Sequence, residues 1–333
     1  MTDPTARLIL GDALAVLPTL EEQSVDLVVT SPPFFGQRSY SVDPQVWEPP
    51  DMPGVEECRH EWGEPVRGTT KFARQGCTDT EKSPGLMVEQ QPATGSFCVR
   101  CGAWMGQLGG EPTVGLYVAH LMDIFRGVWR VLKNTGVFFL NLGDSRNGSG
   151  GAGGDYDAGG IKAGQPRFAG RNLDGLAPKN LCGVPWRVAF ALQDDGWYLR
   201  QAIIWEKPSI KPDPAVDRFQ DNYEFVFLLS KSARYWFDER ESGRAGKMAV
   251  WTIGTSKYRG KHFAAYPLEL AERCIRAGCP EGGTVLDPFM GTGTTVEAAL
   301  RMGRNAVGIE LGRDYMALAE SRTAAMRAQT HMF

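Results

Sequence analysis

A glycine-rich turn near the C-terminal end of the chain sets the strongest limit on how this sequence can fold. The apolar strand predicted at 284–287 runs into Gly291 and Gly293, and a helix is predicted to begin at Thr294. Glycine lacks a Cβ atom, so the backbone here can approach a ligand closely, and the start of the helix offers unpaired N–H groups. We expect Thr294 and Thr295 to cap that helix. The pattern predicts a strand–turn–helix site for a small cofactor.

A carboxylate follows this turn at the end of the next predicted strand. Glu310 lies about 20 residues further on, where it can accept hydrogen bonds from both hydroxyls of a ribose. The complete dinucleotide fingerprint is not present, because Val296 stands in place of its third glycine, and a lone glycine turn serves packing alone in many α/β proteins. The acidic and aromatic neighbours of the turn favour a cofactor. We therefore expect the cofactor to be held by Asp287, Pro288, Phe289, Gly291, Thr292, Gly293, Thr294, Thr295 and Glu310.

A buried strand near the N-terminus ends in a rigid polar corner, Thr30-Ser31-Pro32-Pro33-Phe34. The two prolines fix backbone φ and hold the residues before them in extended conformations. The Ser31 hydroxyl and the Pro32 carbonyl can then accept hydrogen bonds from an aromatic amino group and aim its lone pair at an electrophile. Phe34 can stack on a base that has left the duplex. The alternative is a proline turn that only ends the strand, with Phe34 buried in the core.

The two motifs in this order resemble the β-group amino DNA methyltransferases of the restriction–modification type, in which the catalytic motif precedes the cofactor motif. Further segments match the same family. The resemblance covers nearly the whole chain outside 36–112 and 143–179. The matching segments are Leu10-Gly11-Asp12, Gly196-Trp197-Tyr198-Leu199-Arg200, Ile204-Trp205-Glu206-Lys207-Pro208 and His262-Phe263-Ala264-Ala265-Tyr266-Pro267.

This resemblance implies an α/β fold with a Rossmann-like, seven-stranded, mainly parallel methyltransferase sheet in circularly permuted order and a small cysteine-rich insertion. Alternating strands and helices along the chain also predict a mainly parallel sheet that is covered on both faces. The implied cofactor is S-adenosylmethionine, with Asp12 near its adenine and Thr30 in the same site. The implied substrate is double-stranded DNA. The chain divides into a methyltransferase core at 1–35 and 113–333, an inserted DNA-recognition segment at 36–112, and a glycine-rich mobile loop at 143–180. The usual recognition segment of the family is very short here, at Asp238–Met248, so we expect DNA reading to fall to 36–112, to the glycine-rich tract, or to both.

The serine of the corner predicts which base is methylated. In the family, Ser-Pro-Pro-aromatic occurs mostly with N4-cytosine enzymes and Asp-Pro-Pro-aromatic mostly with N6-adenine enzymes. Ser31, Pro32, Pro33 and Phe34 therefore predict transfer to the exocyclic N4 of a flipped cytosine. Either side chain can accept an amino hydrogen, so N6 of adenine is the alternative with the same mechanism. Methylation at carbon 5 is disfavoured, because it needs a cysteine nucleophile directly after a proline and the sequence has no Pro-Cys step.

The insertion carries cysteines in a metal-binding pattern. Cys98 and Cys101 have the two-residue spacing of a zinc knuckle, and Cys58 lies upstream of them. A segment this poor in apolar residues needs a staple to fold, and a structural zinc would supply it. We favour His60 as the fourth ligand and place Cys77 next. Reduced thiols in a loose loop are the alternative.

Charge and cysteine usage narrow the partners and the compartment. Lys and Arg total 36 against 39 Asp and Glu, a net charge of -3, so DNA contact must come from a local basic face. Seven cysteines without a secretory signal or a membrane-spanning apolar run predict a reducing compartment and no membrane partner. With the resemblance, this indicates the cytoplasm of a prokaryotic or phage-infected cell.

The resemblance also implies a homodimer and a cognate restriction nuclease as candidate partners. The remote alternative is an inactive zinc-containing DNA-binding protein.

Overall fold

The computed structural model of the chain contains two compact units. The first comprises Met1–Pro32, Leu121–Gly143 and Pro185–Phe333, and the second comprises Pro33–His120 and Asp144–Val184. Within the part of the chain that the structure describes, no helix is both long and apolar enough to cross a membrane. The predictions for Cys77, for His262 and for most of 143–180 fall outside that part. The described residues are 3–36, 42–49, 58–67, 93–147, 156–157, 160–161, 175–177, 179–209, 217–255 and 266–329.

The elements follow one another in an alternating order along most of the chain. The strands are β1 (Ala6–Leu10), β2 (Val25–Thr30), β3 (Gln45–Trp47), β4 (Val66–Arg67), β5 (Ala93–Phe97), β6 (Trp104–Gly106), β7 (Leu132–Leu142), β8 (Tyr156–Asp157), β9 (Gly160–Ile161), β10 (Tyr198–Glu206), β11 (Tyr223–Ser230), β12 (Val250–Thr252), β13 (Thr284–Asp287) and β14 (Asn305–Glu310). The α-helices are α1 (Ala13–Val16), α2 (Val114–Val131), α3 (Val184–Asp194), α4 (Leu268–Gly278), α5 (Thr294–Arg301) and α6 (Arg313–Gln329), and short 3₁₀ helices span Leu17–Thr19, Glu239–Glu241 and Gly243–Ala245.

The first unit is built on an eight-stranded sheet with the order β1-β14-β13-β2-β7-β11-β10-β12. Every strand except β11 runs in the same direction, and β11 is antiparallel to both of its neighbours. The predicted mainly parallel α/β sheet is therefore confirmed. The sequences around 198–205 and 223–229 predict two strands that can pair as a hairpin, and this pairing is confirmed as well.

Two details of the sheet correct the sequence predictions. The sheet has eight strands rather than seven, because Val250–Thr252 pairs with β10 at the edge. A three-residue strand is too short to show a periodic pattern in the sequence. The sequence Asn134-Thr135-Gly136 predicts a break between the preceding helix and the strand after it. These residues lie inside β7, which already pairs with β2 at Leu132, directly after α2.

Helices cover both faces of this sheet. On one face, Leu27 and Phe139 belong to the same apolar cluster as Cys274 of α4. On the other face, the ring of Phe138 lies 5.2 Å from that of Phe125 in α2 and 5.4 Å from that of Trp197. Strands that are buried on both faces have nearly continuous apolar sequences. This explains why the central strands were recognisable in the sequence.

The second unit contains a small antiparallel sheet in the order β3-β6-β5-β4. The sequence shows no regular apolar pattern between 36 and 112 and so predicts no sheet there, an expectation that the structure corrects. The strands of this sheet have two to five residues, and two of them contribute the buried tryptophans Trp47 and Trp104. The His120 ring is stacked on Trp47 at 4.3 Å and on Trp104 at 5.5 Å. Short strands held by a few large rings leave no periodic apolar signal.

Candidate active site

One edge of the eight-stranded sheet gathers polar residues that are far apart in the sequence. The carboxyl ends of parallel strands meet at the same edge, where open α/β sheets bind their ligands. There β1 ends just before Asp12, β2 ends at Thr30 before Ser31, β13 ends at Asp287, and β14 ends at Glu310. Because β13 and β2 are neighbours, the predicted cofactor turn and the predicted polar corner begin on adjacent strands.

The Asp287 carboxylate joins these two segments. It is 1% exposed, and its Oδ1 accepts hydrogen bonds from Thr30 Oγ1 at 2.5 Å and from the Phe289 N–H at 3.0 Å. Its Oδ2 accepts from Thr295 Oγ1 at 2.5 Å and from the Tyr266 hydroxyl at 3.1 Å. Burial raises the pKa of the Asp287 carboxyl, and the hydrogen bonds from Thr295 and Thr30 oppose that rise.

The geometry gives Asp287 a supporting position at the site. The sequence prediction placed it in contact with the cofactor, but both carboxylate oxygens already accept hydrogen bonds from protein donors. A buried carboxylate that binds several donors holds those donors in place. Asp287 therefore fixes the backbone of the turn and the last residue of β2 against each other.

The turn itself has the backbone conformation that its glycines predict. Gly291 and Gly293 have φ values of 56° and 81°, in the left-handed region that glycine adopts without strain. A Cβ atom on Gly293 would lie 3.1 Å from the Cβ of Ala319, so the turn also needs glycine for packing. The Glu310 carboxylate accepts from the Gly291 N–H at 2.8 Å and from the Gly312 N–H at 2.7 Å. Glu310 is only half-buried, so its remaining lone pairs can reach a ligand.

The predicted threonine caps of α5 are wrong. Gly293 occupies the N-cap position, and no side chain caps the helix there. The Thr294 hydroxyl instead accepts a hydrogen bond from Arg322 at 2.9 Å, and the Thr295 hydroxyl donates to Asp287. The partner of Thr294 is 28 residues away and the partner of Thr295 is eight residues away, so a capping rule that considers only the first turn of the helix could not predict them.

Arg322 of α6 binds several polar groups in and just after the glycine turn. Arg322 donates to the hydroxyls of Thr294 and Thr292, the latter at 3.3 Å, and forms an ion pair with the buried Glu297. Arg301 binds the other oxygen of Glu297 at 2.5 Å. Thr292 and Thr294 are therefore buried supports of the turn. Their hydroxyls face Arg322 rather than an open site.

Asp12 lies next to Glu310 at the same edge. It caps α1, with its Oδ1 accepting from the Leu14 N–H at 2.8 Å. The Gly11 N–H donates to the backbone carbonyl of Glu310 at 2.9 Å, which keeps the two strand ends together. Burial raises the pKa of both Asp12 and Glu310. Pro288 is buried inside the turn and has no polar group to offer from its side chain.

The serine of the polar corner is fixed by a residue of the neighbouring strand. The half-buried Ser31 donates from Oγ to the Oδ1 of Asn141 at 3.0 Å. Asn141 lies near the carboxyl end of β7 and is 3% exposed. The hydroxyl proton of Ser31 is therefore engaged, and the lone pairs of its oxygen remain available as acceptors.

The second half of the corner belongs to the second unit, where it is fixed independently. The Tyr117 hydroxyl donates to the Pro33 carbonyl at 2.8 Å. Gly109 has a φ of +88°, and a Cβ on it would lie 2.9 Å from the Phe34 carbonyl. Phe34 is half-buried, whereas Phe35 is fully buried. The aromatic residue of this segment that is fully buried is therefore Phe35 rather than Phe34.

Four predicted metal ligands lie together in the second unit. The ligand atoms of Cys58, His60, Cys98 and Cys101 are all within 4.8 Å of one another. The Cys101 Sγ is 3.4 Å from the His60 Nδ1. The knuckle is closed by a hydrogen bond from the N–H of residue 102 to the Cys98 carbonyl at 2.9 Å. The chemistry of this set, with three thiols and one imidazole, fits zinc.

Several residues that build these sites were missed in the sequence. Tyr266 was named only as part of a matching segment, without a role, and Tyr117 was not named; their hydroxyls contact the glycine turn and the polar corner. Asn141 had a usable signal, because a polar residue follows the apolar run 137–140 at a strand end that the parallel-sheet prediction places near Ser31. Arg322 had none, since its partners are in a different part of the chain.

Comparisons with known proteins agree with this geometry. A family model described as a DNA methylase, for N6 and N4 methyltransferases, matches residues 25–321. The chain is 33% identical over 332 residues to the type II methyltransferase M.SmaI of Serratia marcescens, covering 97% of this chain and 92% of that protein. It is 34% identical over 328 residues to M.XycI of Xanthomonas campestris pv. cyanopsidis, covering 94% of this chain and 85% of that one.

Solved structures support the fold. The cytosine-N4-specific PvuII DNA methyltransferase is similar with a TM-score of 0.60 and 19% identity, covering 99% of this chain and 93% of that structure. A DNA modification methylase of Thermus thermophilus, described as putative and complexed with S-adenosyl-L-methionine, has a TM-score of 0.53 and 22% identity, covering 97% of this chain and 96% of that structure. At these identities the likeness concerns the fold.

Replacing Asp287 with Asn tests the buried junction. The variant puts an NH2 group where two donors now meet an acceptor, so at least one buried donor loses its partner. We expect Asp287→Asn to lower the free energy of unfolding by about 3 kcal/mol. Guanidinium titration followed by tryptophan fluorescence measures this. The matched change Asp194→Asn, on an exposed carboxylate, should stay within about 0.5 kcal/mol of wild type, and an equal loss in the two variants would contradict the junction.

Proposed function

The chain belongs to the N6/N4 DNA methylase family of type II restriction–modification methyltransferases, and we propose that it methylates N4 of a flipped cytosine in duplex DNA, with S-adenosylmethionine as methyl donor. One observation carries the proposal. Thr30 donates to Asp287 at 2.5 Å, which sets the acceptor Ser31 next to the glycine turn. A methyltransferase needs that adjacency, because the amino nitrogen and the methyl group must meet in line.

The residues at the edge of the sheet fit the proposed cofactor. When bound, S-adenosylmethionine supplies an electrophilic methyl group on a sulfonium centre. Gly291 and Gly293 allow the backbone of the turn to approach it closely. Glu310 keeps lone pairs for the ribose hydroxyls, and Asp12 at the adjoining strand end lies where the adenine would bind. Thr30, Asp287, Pro288, Thr292, Thr294 and Thr295 contribute by holding this surface in shape.

The polar corner would orient the amino group of the base. Ser31 and the Pro32 carbonyl accept its two hydrogens, which draws the nitrogen toward tetrahedral geometry and frees its lone pair for attack. Pro33 keeps the backbone extended, and Phe34 stacks on the flipped base. Ser31 favours cytosine N4, and the PvuII enzyme, with the same fold, is described as cytosine-N4-specific.

Duplex DNA is the proposed substrate, with recognition assigned to the inserted segment 36–112. The small sheet of the second unit supports this, because it gives the segment a folded surface that a core methyltransferase sheet does not need. A homodimer and a cognate nuclease remain predictions from the family resemblance.

A structural zinc in the second unit is a further part of the proposal. Zinc bond lengths of about 2.0–2.3 Å put neighbouring ligand atoms of a tetrahedral site about 3.3–3.8 Å apart. The Cys101–His60 separation of 3.4 Å lies in that range. His60 also points its Nε2 at Glu48 Oε1, 3.6 Å away, and zinc-binding histidines usually engage a carboxylate in this way. His60 is thus the proposed fourth ligand with Cys58, Cys98 and Cys101.

Methyl transfer to mixed-sequence duplex DNA, with nucleoside mass spectrometry of the product, tests the proposed reaction. We expect N4-methylcytosine from the wild-type protein. Ser31→Ala should lower kcat by about 10²–10³-fold, because one preorganised acceptor is lost, with little change in cofactor affinity.

The outcomes of that assay separate the alternatives. N6-methyladenine would overturn the base assignment and keep the mechanism. Cofactor binding without any methylated nucleoside would favour the inactive DNA-binding protein. Ser24→Ala is the control, since its exposed hydroxyl only donates to the Glu21 carbonyl and the change should leave kcat unaffected.

Metal analysis tests the zinc. We expect one zinc per chain in protein purified without chelator, with loss of that zinc in Cys98→Ser. A chelator should lower the unfolding temperature, because metal binding contributes to folding. The control is Cys182→Ala, a buried thiol outside the cluster, which should retain the metal. Wild-type protein that neither contains zinc nor takes it up would contradict the proposal.

A further inference from the structure

A polar relay leads away from Ser31 across four neighbouring strands of the first unit. Asn141 accepts from the Ser31 hydroxyl at 3.0 Å and donates from Nδ2 to Glu224 Oε2 at 3.1 Å. Glu224 in turn forms an ion pair with Lys207. These residues lie at the ends of β2, β7, β11 and β10, which are adjacent in the sheet. We propose that Asn141 is a positioning residue that holds the Ser31 hydroxyl as a hydrogen-bond acceptor toward the substrate amino group.

The orientation of the Asn141 amide determines which group donates and which accepts in each hydrogen bond of the relay. Its Nδ2 has two acceptors, the Glu224 carboxylate and the Phe225 carbonyl, each at 3.1 Å. A flipped amide would place its carbonyl oxygen against both acceptors in a site that is 3% exposed. The Oδ1 atom therefore faces Ser31. Since Oδ1 carries no hydrogen, the Ser31 hydroxyl must donate to it.

In the proposed function, Ser31 accepts a hydrogen bond from the substrate amino group, and the inference rests on that function. The hydrogen bond to Asn141 affects how well Ser31 can do this. An aromatic amino group is a hydrogen-bond donor, because its lone pair is delocalised into the ring. A freely rotating serine would spend part of its time with its own hydrogen pointed at that group. With the proton held by Asn141, Ser31 presents only lone pairs to the incoming amino hydrogen, and no reorganisation is needed at the moment of reaction.

The ion pair at the far end keeps the relay in place. The side chains of Lys207 and Glu224 are 18% and 17% exposed, so each charge is largely shielded from water and needs its partner. Lys207 is also held by Trp205, with Nζ 4.7 Å from the ring centroid. Lys207 belongs to the segment 204–208 that the sequence resemblance singled out without a role. The relay gives it one.

Asn141 cannot ionise, so the relay can orient the Ser31 hydroxyl but cannot take its proton. An amide takes up no proton from Ser31, and the serine therefore does not act as a base through this chain. The contribution of Asn141 is orientation alone. A change at Asn141 should then lower the rate of methyl transfer only while the serine hydroxyl is present to be oriented.

A double-mutant cycle tests this prediction by single-turnover methyl transfer. We expect Asn141→Ala to lower the rate by about 10–100-fold with KM for S-adenosylmethionine nearly unchanged. In the Ser31→Ala background the same change should cost less than about 3-fold, because its target is gone. An equal loss in both backgrounds would mean that Asn141 only supports the fold, and would overturn the inference.

A second experiment exchanges the polar groups of Asn141 and Glu224 and asks whether the rate of methyl transfer is restored. Asn141→Asp alone keeps an acceptor for Ser31 but places a carboxylate against Glu224, so we expect a large loss of rate. Adding Glu224→Gln restores a donor to that carboxylate oxygen, although the Phe225 carbonyl still faces it, so the double variant should regain part of the lost rate and be clearly faster than Asn141→Asp. Failure of this rescue in a folded protein would also overturn the inference.

The control lies on the neighbouring strands. Glu206 accepts from Thr252 Oγ1 at 2.6 Å and does not contact Ser31, so Glu206→Gln should leave the rate unchanged. Wild-type protein that forms no methylated nucleoside would overturn the proposed function and this inference together. Active wild-type protein with additive effects would overturn the inference alone.

Discussion

The buried carboxylate of Asp287 joins two segments that are 257 residues apart in sequence, and the rest of the first unit's site depends on that connection. An unpaired carboxylate in the interior would cost several kcal/mol. Loss of any of its hydrogen bonds is therefore unfavourable, and the donors are held in place. Those donors are Thr30 on one side and the Phe289 N–H and Thr295 on the other. The end of β2 and the glycine turn after β13 are therefore held together by one buried group.

Around this junction, one group of residues holds the candidate site in shape, and the proposed function assigns a second group to its ligands. Arg322 and Asn141 belong to the first group. Arg322 binds the threonines of the turn, and Asn141 fixes the hydroxyl of Ser31. Glu310 and Ser31 belong to the second group, since each is half-buried and keeps lone pairs free. In the proposed function, the groups that meet the ligands would therefore be few and half-buried, and contacts from distant strands would set their positions.

The sequence predicted the parts of the molecule that depend on local chemistry. Buried parallel strands, the glycines of the turn, and the Cys98–Cys101 spacing all have local signatures. Contacts between distant segments have none, and these account for the errors. Thr294 was expected to cap α5, but its hydroxyl binds Arg322 from α6. The edge strand 250–252 and the small sheet of the second unit were missed because their strands are too short to show a period.

The most direct test of the central claim is hydrogen exchange in Thr30→Val, an isosteric change that removes only the hydroxyl bound to Asp287. If one junction holds both segments, the amides of 29–31 and of 289–295 should lose protection together, even though Thr30 is 1% exposed. Faster exchange limited to 29–31, with 289–295 unchanged, would show that the corner and the turn are held separately and would contradict the account.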